Sequence, residues 1–264
     1  MRSKILGIMG MLGMTALGCM TSETAHIDEG FPLDTPKYVY EDFHLKSDFS
    51  YPDSVEITDT TRYVARYPSF DDQQLQAFVN RAQLGADTAN LNLVARQFIG
   101  EYEAFQDSFT YPRQWNSETN TQVSNMTSIY LSLQTDHYSY TGGAHGMYWT
   151  MFTHYWLPEN KELHLGDLVD STRMQDLLTM AEAHFWAQEA QNGEEMSPDF
   201  YFFEDEQFYL PDNLNFERDS LLFLYNIYEI KPYVFGTTEL RIPYTDIQPF
   251  LSEKAKAIII ELNK

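Results

Sequence analysis

The residues with the most chemistry to offer fall in two short stretches. The first is Thr141-Gly142-Gly143-Ala144-His145-Gly146. Adjacent glycines permit positive φ and leave backbone amides uncovered, so such a loop can receive carboxylate or carbonyl oxygens, with His145 as a hydrogen-bonding partner. The plainer reading is a hairpin turn at Gly142 and Gly143 with His145 packed beside it. The second stretch runs from Tyr225 to Gly236, Tyr-Asn-Ile-Tyr-Glu-Ile-Lys-Pro-Tyr-Val-Phe-Gly. Glu229 sits there at an apolar, aromatic strand end, where burial without a partner would raise a carboxylate pKa. Glu229 with His145 would make an acid–base pair, and Tyr228 with Tyr233 a platform on which a sugar could stack. Against both stands a core strand whose Glu229 pairs with an arginine such as Arg241. A glycan hydrolase would need a second carboxylate, such as Asp167, at roughly 5–9.5 Å from Glu229 across an open cleft.

The elements that must position these residues can be read from periodicity. Val55 and Ile57, then Tyr63, Ala65 and Tyr67, alternate as two strands. Leu75, Phe78, Val79 and Ala82 share a helical face, capped by Ser69 or Asp71; Leu91, Val94, Ala95, Phe98, Tyr102 and Phe105 share another. Ile129, Leu131 and Leu133 alternate toward Tyr140, and Met147, Trp149, Met151 and Tyr155 alternate beyond the glycines, which predicts a β-hairpin. Pro158 to Lys161 reads as a tight turn. Met174, Leu177, Leu178, Ala181 and Phe185 form a helix capped by Asp170 or Ser171. Leu221–Ile230 and Glu239–Ile242 read as strands, and Ala255, Ile258, Ile259 and Leu262 as a closing helix. The order is not a βαβ alternation and predicts an α+β fold: antiparallel sheets with packed helices in two associated subdomains, with the seam near Thr150–Pro158. Between Asp199 and Tyr209 acids and aromatics mix without the spacing or glycine of an EF-hand, so a loop whose rings cover the core and whose acids face water is expected.

Composition narrows the classes. The chain has 264 residues, 15% aromatics and net charge −22. That aromatic load excludes disorder over most of the chain, and the acidic excess argues against nucleic-acid binding. The sequence contains no Gly-x-Ser-x-Gly elbow, phosphate loop, dinucleotide fingerprint or close histidine pair, and no cofactor or metal is implied.

The one cysteine sits at a telling place. Arg2 and Lys4 precede an apolar run to Leu17, and Ala16-Leu17-Gly18-Cys19 follows. The run is short of the roughly 20 residues that span a bilayer. Its three-part pattern reads as a secretory signal over residues 1–18. The Leu-Gly-Cys ending resembles a bacterial lipobox, which implies diacylglycerol on the Cys19 sulfur and a lipid-anchored place in the cell envelope, at the outer membrane. Residues 19–37 then read as an acidic tether.

Tyr67-Pro68, Asn80 and the Tyr140–Gly146 hairpin resemble a PdaC-type domain of unknown function (DUF4163), over residues 38–156. Leu163-x-Leu165-x-Asp167-Leu168, Phe216, Tyr228-Glu229-Ile230-x-Pro232-Tyr233-x-x-Gly236 and Ile242-Pro243-Tyr244 resemble an RsiV-type domain (DUF3298), over residues 157–264. The resemblance implies an extracytoplasmic module of envelope lipoproteins and anti-sigma ectodomains, the latter recognising lysozyme. The His-x-x-x-His spacing of the deacetylase's metal-dependent catalytic domain has no counterpart here, so no catalytic role carries over to His145 or Glu229. The expectation is therefore a non-enzymatic binding module for a cationic, lysozyme-like protein or a cell-wall fragment. Gly142, Gly143, His145, Tyr228, Glu229 and Tyr233 are the contact candidates, and a hydrolase is the alternative.

Overall fold

The large sheet begins with β1 (Cys19–Ser22), β2 (Tyr38–Lys46) and β3 (Arg62–Phe70), paired antiparallel. The computed structural model describes residues 19–22, 35–48, 61–85, 90–106, 114–191, 193 and 198–264. The signal over 1–18, the expected strand at Val55 and Ile57, and most of the tether lie outside these residues. Where the tether is described, Cys19–Ser22 adds an edge strand to β2. Tyr63, Ala65 and Tyr67 are buried along β3 as their alternation requires.

Helices α1 (Gln73–Leu84) and α2 (Leu91–Gln106) cover this sheet with Leu75, Phe78 and Val79 from the first and Ala95, Ile99 and Tyr102 from the second. The α1 cap is Asp72, not Ser69 or Asp71: its carboxylate accepts from the amides of Gln74 and Leu75. Gly85, at φ 76°, ends the helix in the left-handed region that glycine enters without strain. The chain returns as β4 (Asn116–Met126), β5 (Tyr130–Tyr140), β6 (Met147–Trp156) and β7 (Lys161–Leu163), completing the order β1-β2-β3-β4-β5-β6-β7. One departure from antiparallel order is the parallel pair β3–β4, whose connection passes through both helices. The polar strand β4 escapes hydrophobic periodicity because its buried positions include Ser117, Thr119 and Thr121.

The C-terminal unit starts with the short α3 (Leu165–Leu168) and continues with α4 (Met174–Gln191), entered through a turn that Asp170 caps. An aromatic stretch follows, then a three-stranded antiparallel sheet of β8 (Leu214–Phe216), β9 (Ser220–Tyr225) and β10 (Thr238–Pro243). Short α5 (Tyr244–Ile247) and α6 (Glu253–Leu262) close the chain. The strand expected over Leu221–Ile230 stops at Tyr225, because a turn follows in which the Glu229 amide donates to the Asn226 carbonyl.

The two subdomains share β5 and β6 and meet there, not at a linker. Leu131, Leu133 and Tyr155 enter the core beneath α1 and α2, while Tyr130 enters the core built by α4, β9 and α6. Residues 157–163 still belong to the large sheet through β7, so the seam placed after Trp156 falls within it. β7 pairs only with residues 154–156, which leaves the outer edge of β6 open before that point. Side-chain amides of the C-terminal unit close it. The amides of Thr150 and Phe152 donate to Asn226 Oδ1 and Asn213 Oδ1, each at 2.8 Å, and the Thr150 carbonyl accepts from both asparagines. An edge strand's unpaired backbone groups are thereby satisfied across the joint.

Candidate functional site

The glycine hairpin and the Tyr228–Tyr233 segment come together, although Gly146 and Tyr233 are 87 positions apart. Gly142 and Gly143 turn the hairpin at φ 97° and 101°, a region that favours glycine. His145 is thereby carried onto Tyr233: their rings stack with centroids 3.9 Å apart and planes 21° from parallel. The Gly146 carbonyl accepts from His145 Nδ1 at 3.0 Å and from the Tyr233 hydroxyl at 3.2 Å. A carbonyl only accepts, so Nδ1 carries a proton and donates it. Tyr228 lies 5.6 Å from Tyr233 and 6.4 Å from His145, and Tyr148 meets Tyr233 edge-on at 6.0 Å. Tyr228 holds φ 63°, costly for a side chain with a Cβ, yet the residue is 47% exposed. Val234, 82% exposed, extends the surface.

Glu229 does not pair with Arg241, as the plainer sequence reading proposed. Its Oε2 accepts from the Asn226 amide at 2.7 Å and its Oε1 from the Tyr209 hydroxyl at 2.9 Å. The carboxylate therefore holds the turn that presents Tyr228; burial, and then the charge of this carboxylate, push the Tyr209 phenol above its usual range. Arg241 is taken by Glu217 and Glu239. Asp167 accepts from Lys161 and from the His164 amide at the start of α3, and the Lys161 ammonium beside it holds its carboxyl below the usual range. The buried ion pair of this unit is another one: Lys231 donates to Glu189 at 2.9 Å, both side chains nearly inaccessible, and Tyr201 donates to the same Glu189 oxygen at 2.6 Å.

The aromatic, acidic loop adjoins the same surface. The Phe202 amide donates to the Ile230 carbonyl, and Phe200 packs edge-on to Phe235 at 5.3 Å. Tyr201 and Phe203 turn inward, as expected of rings that cover the core, whereas Phe202 and Tyr209 stay exposed. Glu204, Asp205 and Glu206 are all exposed. The arrangement can offer a partner aromatic faces and an imidazole, with exposed carboxylates on the adjoining loop. Tyr148, Asn226 and Val234 belong to it and were not singled out by sequence; Tyr148 fell outside the alternation read for β6, and Asn226 reads as any polar residue. Among the described residues no three or more His, Cys, Asp or Glu side chains gather as a metal site would require.

Comparison with known proteins agrees with this architecture. The family model described as "Deacetylase PdaC" matches residues 54–148, and "Protein of unknown function (DUF3298)" matches residues 166–245. A crystal structure of a DUF3298 family protein from Pseudomonas aeruginosa PAO1 is similar with TM-score 0.66 at 21% identity, covering 83% of this chain and 96% of that one. A DUF3298 family member from Bacteroides fragilis NCTC 9343 is similar with TM-score 0.64 at 18% identity, covering 86% of this chain and 98% of that one. No curated protein matches. The hairpin that carries His145 falls within the first matched region and the Tyr228–Tyr233 platform within the second, so the chain carries a region similar to PdaC followed by one similar to DUF3298.

Proposed function

We propose that the protein is a non-enzymatic binding module of the cell envelope, tethered by lipid on Cys19, that captures a cationic protein of lysozyme type. The observation that carries this reading is the stack of His145 on Tyr233 beside a strained, exposed Tyr228. The turn that carries Tyr228 is joined to the acidic, aromatic loop of Glu204–Glu206 through the Glu229–Tyr209 hydrogen bond. Aromatic anchors ringed by one sign of charge are what a protein partner of the opposite sign requires. A net charge of −22 steers such a partner in. Glu229 and Asp167 are each engaged in holding a local turn, which weighs against the hydrolase alternative.

Titrating the purified protein against lysozyme, at low salt and at ~0.15 M where the Debye length is ~8 Å, tests the reading. Saturable binding that weakens steeply with salt is expected, with Tyr228→Ala lowering affinity about tenfold or more. Binding confined to soluble cell-wall fragments and indifferent to salt, or no lysozyme binding at either salt, overturns it. The anchor is tested separately: cells fed a labelled fatty acid label the wild type and not Cys19→Ala, and equal labelling refutes it.

A further inference from the structure

The sheet face turned away from α1 and α2 is covered by the C-terminal unit at one end only. Phe152 packs there with Leu222 and Leu224, and His154 donates to the Leu214 carbonyl. From Thr150 back to Tyr148 the face is open, and a groove of about 490 Å³ lies on it. Strand register fixes its floor, because cross-strand partners share a face. Asp42, Arg66, Asn120, Asp136 and Thr150 follow one another as partners from β2 to β6. Glu118, Tyr138 and Tyr148 form the next row.

The charges on this floor do not cancel. Asp42 is held by Arg66 at 2.9 Å and Glu118 by Arg62 at 2.6 Å. Asp136, half-buried, accepts only from neutral groups, the Thr150 hydroxyl at 2.6 Å and the Gln134 side-chain amide at 3.0 Å. Among the described residues no cation pairs with it, and its oxygens keep lone pairs for further donors. Tyr138 and Tyr148 stand in the neighbouring row, 39% and 36% exposed. Tyr148 also meets Tyr233 edge-on, so the groove runs into the hairpin surface. A carboxylate flanked by phenol rings suits a flat cation. A guanidinium offers N–H donors at its edge and a face that stacks on aromatic rings, whereas an ammonium is a point charge without such a face.

We propose that this groove seats an arginine side chain of the cationic protein partner. Its guanidinium N–H groups donate to Asp136, and its plane lies against the tyrosine rings. The source of that side chain rests on the partner proposed above; the chemistry of the groove does not.

Fluorescein-labelled hexa-arginine and hexa-lysine, equal in charge, are titrated against the purified protein by fluorescence anisotropy at ~0.15 M salt. Hexa-arginine should bind at least about fivefold tighter than hexa-lysine. Asp136→Asn should weaken hexa-arginine about tenfold, whereas Glu253→Gln, the same change of charge at an exposed position of α6, should leave it unchanged. Should Asp136→Asn unfold, as its circular dichroism melt would show, Tyr138→Leu carries the test, and the preference for arginine should fall. Equal affinity for the two peptides, no binding of hexa-arginine, equal losses in Asp136→Asn and Glu253→Gln, or an undiminished preference in Tyr138→Leu overturns the proposal. Each of these can occur while lysozyme still binds. Conversely, a preference for arginine that depends on Asp136 upholds the groove even where lysozyme does not bind, so the two readings fail separately.

Discussion

Strand β6 has two faces, and the molecule treats them differently. Phe152 and His154 point to the C-terminal unit, where the joint is made by directed polar bonds. The Leu214 carbonyl accepts from His154 Nε2 at 2.8 Å, so Nδ1 accepts from the Tyr130 hydroxyl at 2.6 Å, and Asn213 and Asn226 close the strand edge. Met151 and Thr153 point to the helices, where Thr153 Oγ1 and Gln83 Oε1 find no partner and space remains. Side-chain hydrogen bonds fix distance and angle, so the first joint has one geometry. Helices laid on a sheet through apolar contacts are held less specifically, and among the described residues space is left between them and the sheet.

The closed side should be fragile to single polar changes. Lys231→Met strands the Glu189 carboxylate in the core and should lower unfolding free energy by about 3–5 kcal/mol in urea titrations. Adding Glu189→Leu should recover most of it. A loss below 1 kcal/mol in the single variant would mean that the pair does not close this unit.

His154 makes the same side sensitive to acid. Burial lowers its pKa to about 4, against an unfolded value near 6.5. Unfolding therefore takes up a proton between these values: the full contribution is present above pH 6.5 and is lost as pH falls toward 4. The loss is about 3 kcal/mol at most. Unfolding curves from pH 7 to pH 4 should show this extra slope in the wild type and not in His154→Asn. Parallel slopes would show that the imidazole is not buried as a neutral base.

Asn213→Ala should cost about 2–3 kcal/mol, because it removes the bonds to Phe152, Thr150 and Leu224 and leaves buried backbone groups behind. Amide exchange at Phe152 should quicken with it. The smallest effect belongs to the open side and has the opposite sign. Gln83→Leu should leave stability unchanged or raise it by up to about 1 kcal/mol, since it deletes an acceptor that has no donor. A melting temperature clearly below wild type would show that Gln83 is bonded after all and that the two faces are alike.

Most elements were legible wherever a periodic run matched a buried face. The α1 stripe of Leu75, Phe78 and Val79 read directly from local pattern, and of the two caps offered before α4 the structure uses Asp170. Strand β4 did not, because a strand buried through Ser117, Thr119 and Thr121 lacks the apolar alternation on which such reading depends. The cap of α1 was missed by one or more positions for a related reason: Ser69, Asp71 and Asp72 have similar capping ability, and only the backbone path selects among them. In the candidate site, Gly142, Gly143, His145, Tyr228 and Tyr233 stood out by composition, and Glu229 is a paired, structural carboxylate as its plainer reading had it, but with a different partner. Its expected partner, Arg241, lies beside two closer carboxylates, and Glu229 folds back onto its own turn.

The sequence by itself determined the local elements of this protein: which stretches turn, which helical faces are apolar, where the glycines permit a hairpin, and that the surface is acidic. These depend on contiguous residues, whose φ/ψ preferences and spacing act within a few positions. Only the tertiary structure decided that the hairpin meets the Tyr228 turn, that Lys231 and Glu189 form a buried pair, and that Gln83 and Trp149 line one space. Each of those depends on how separate elements pack. Many acids, tyrosines and lysines in this chain could have met, and burial, distance and angle select among them only once the sheet has closed.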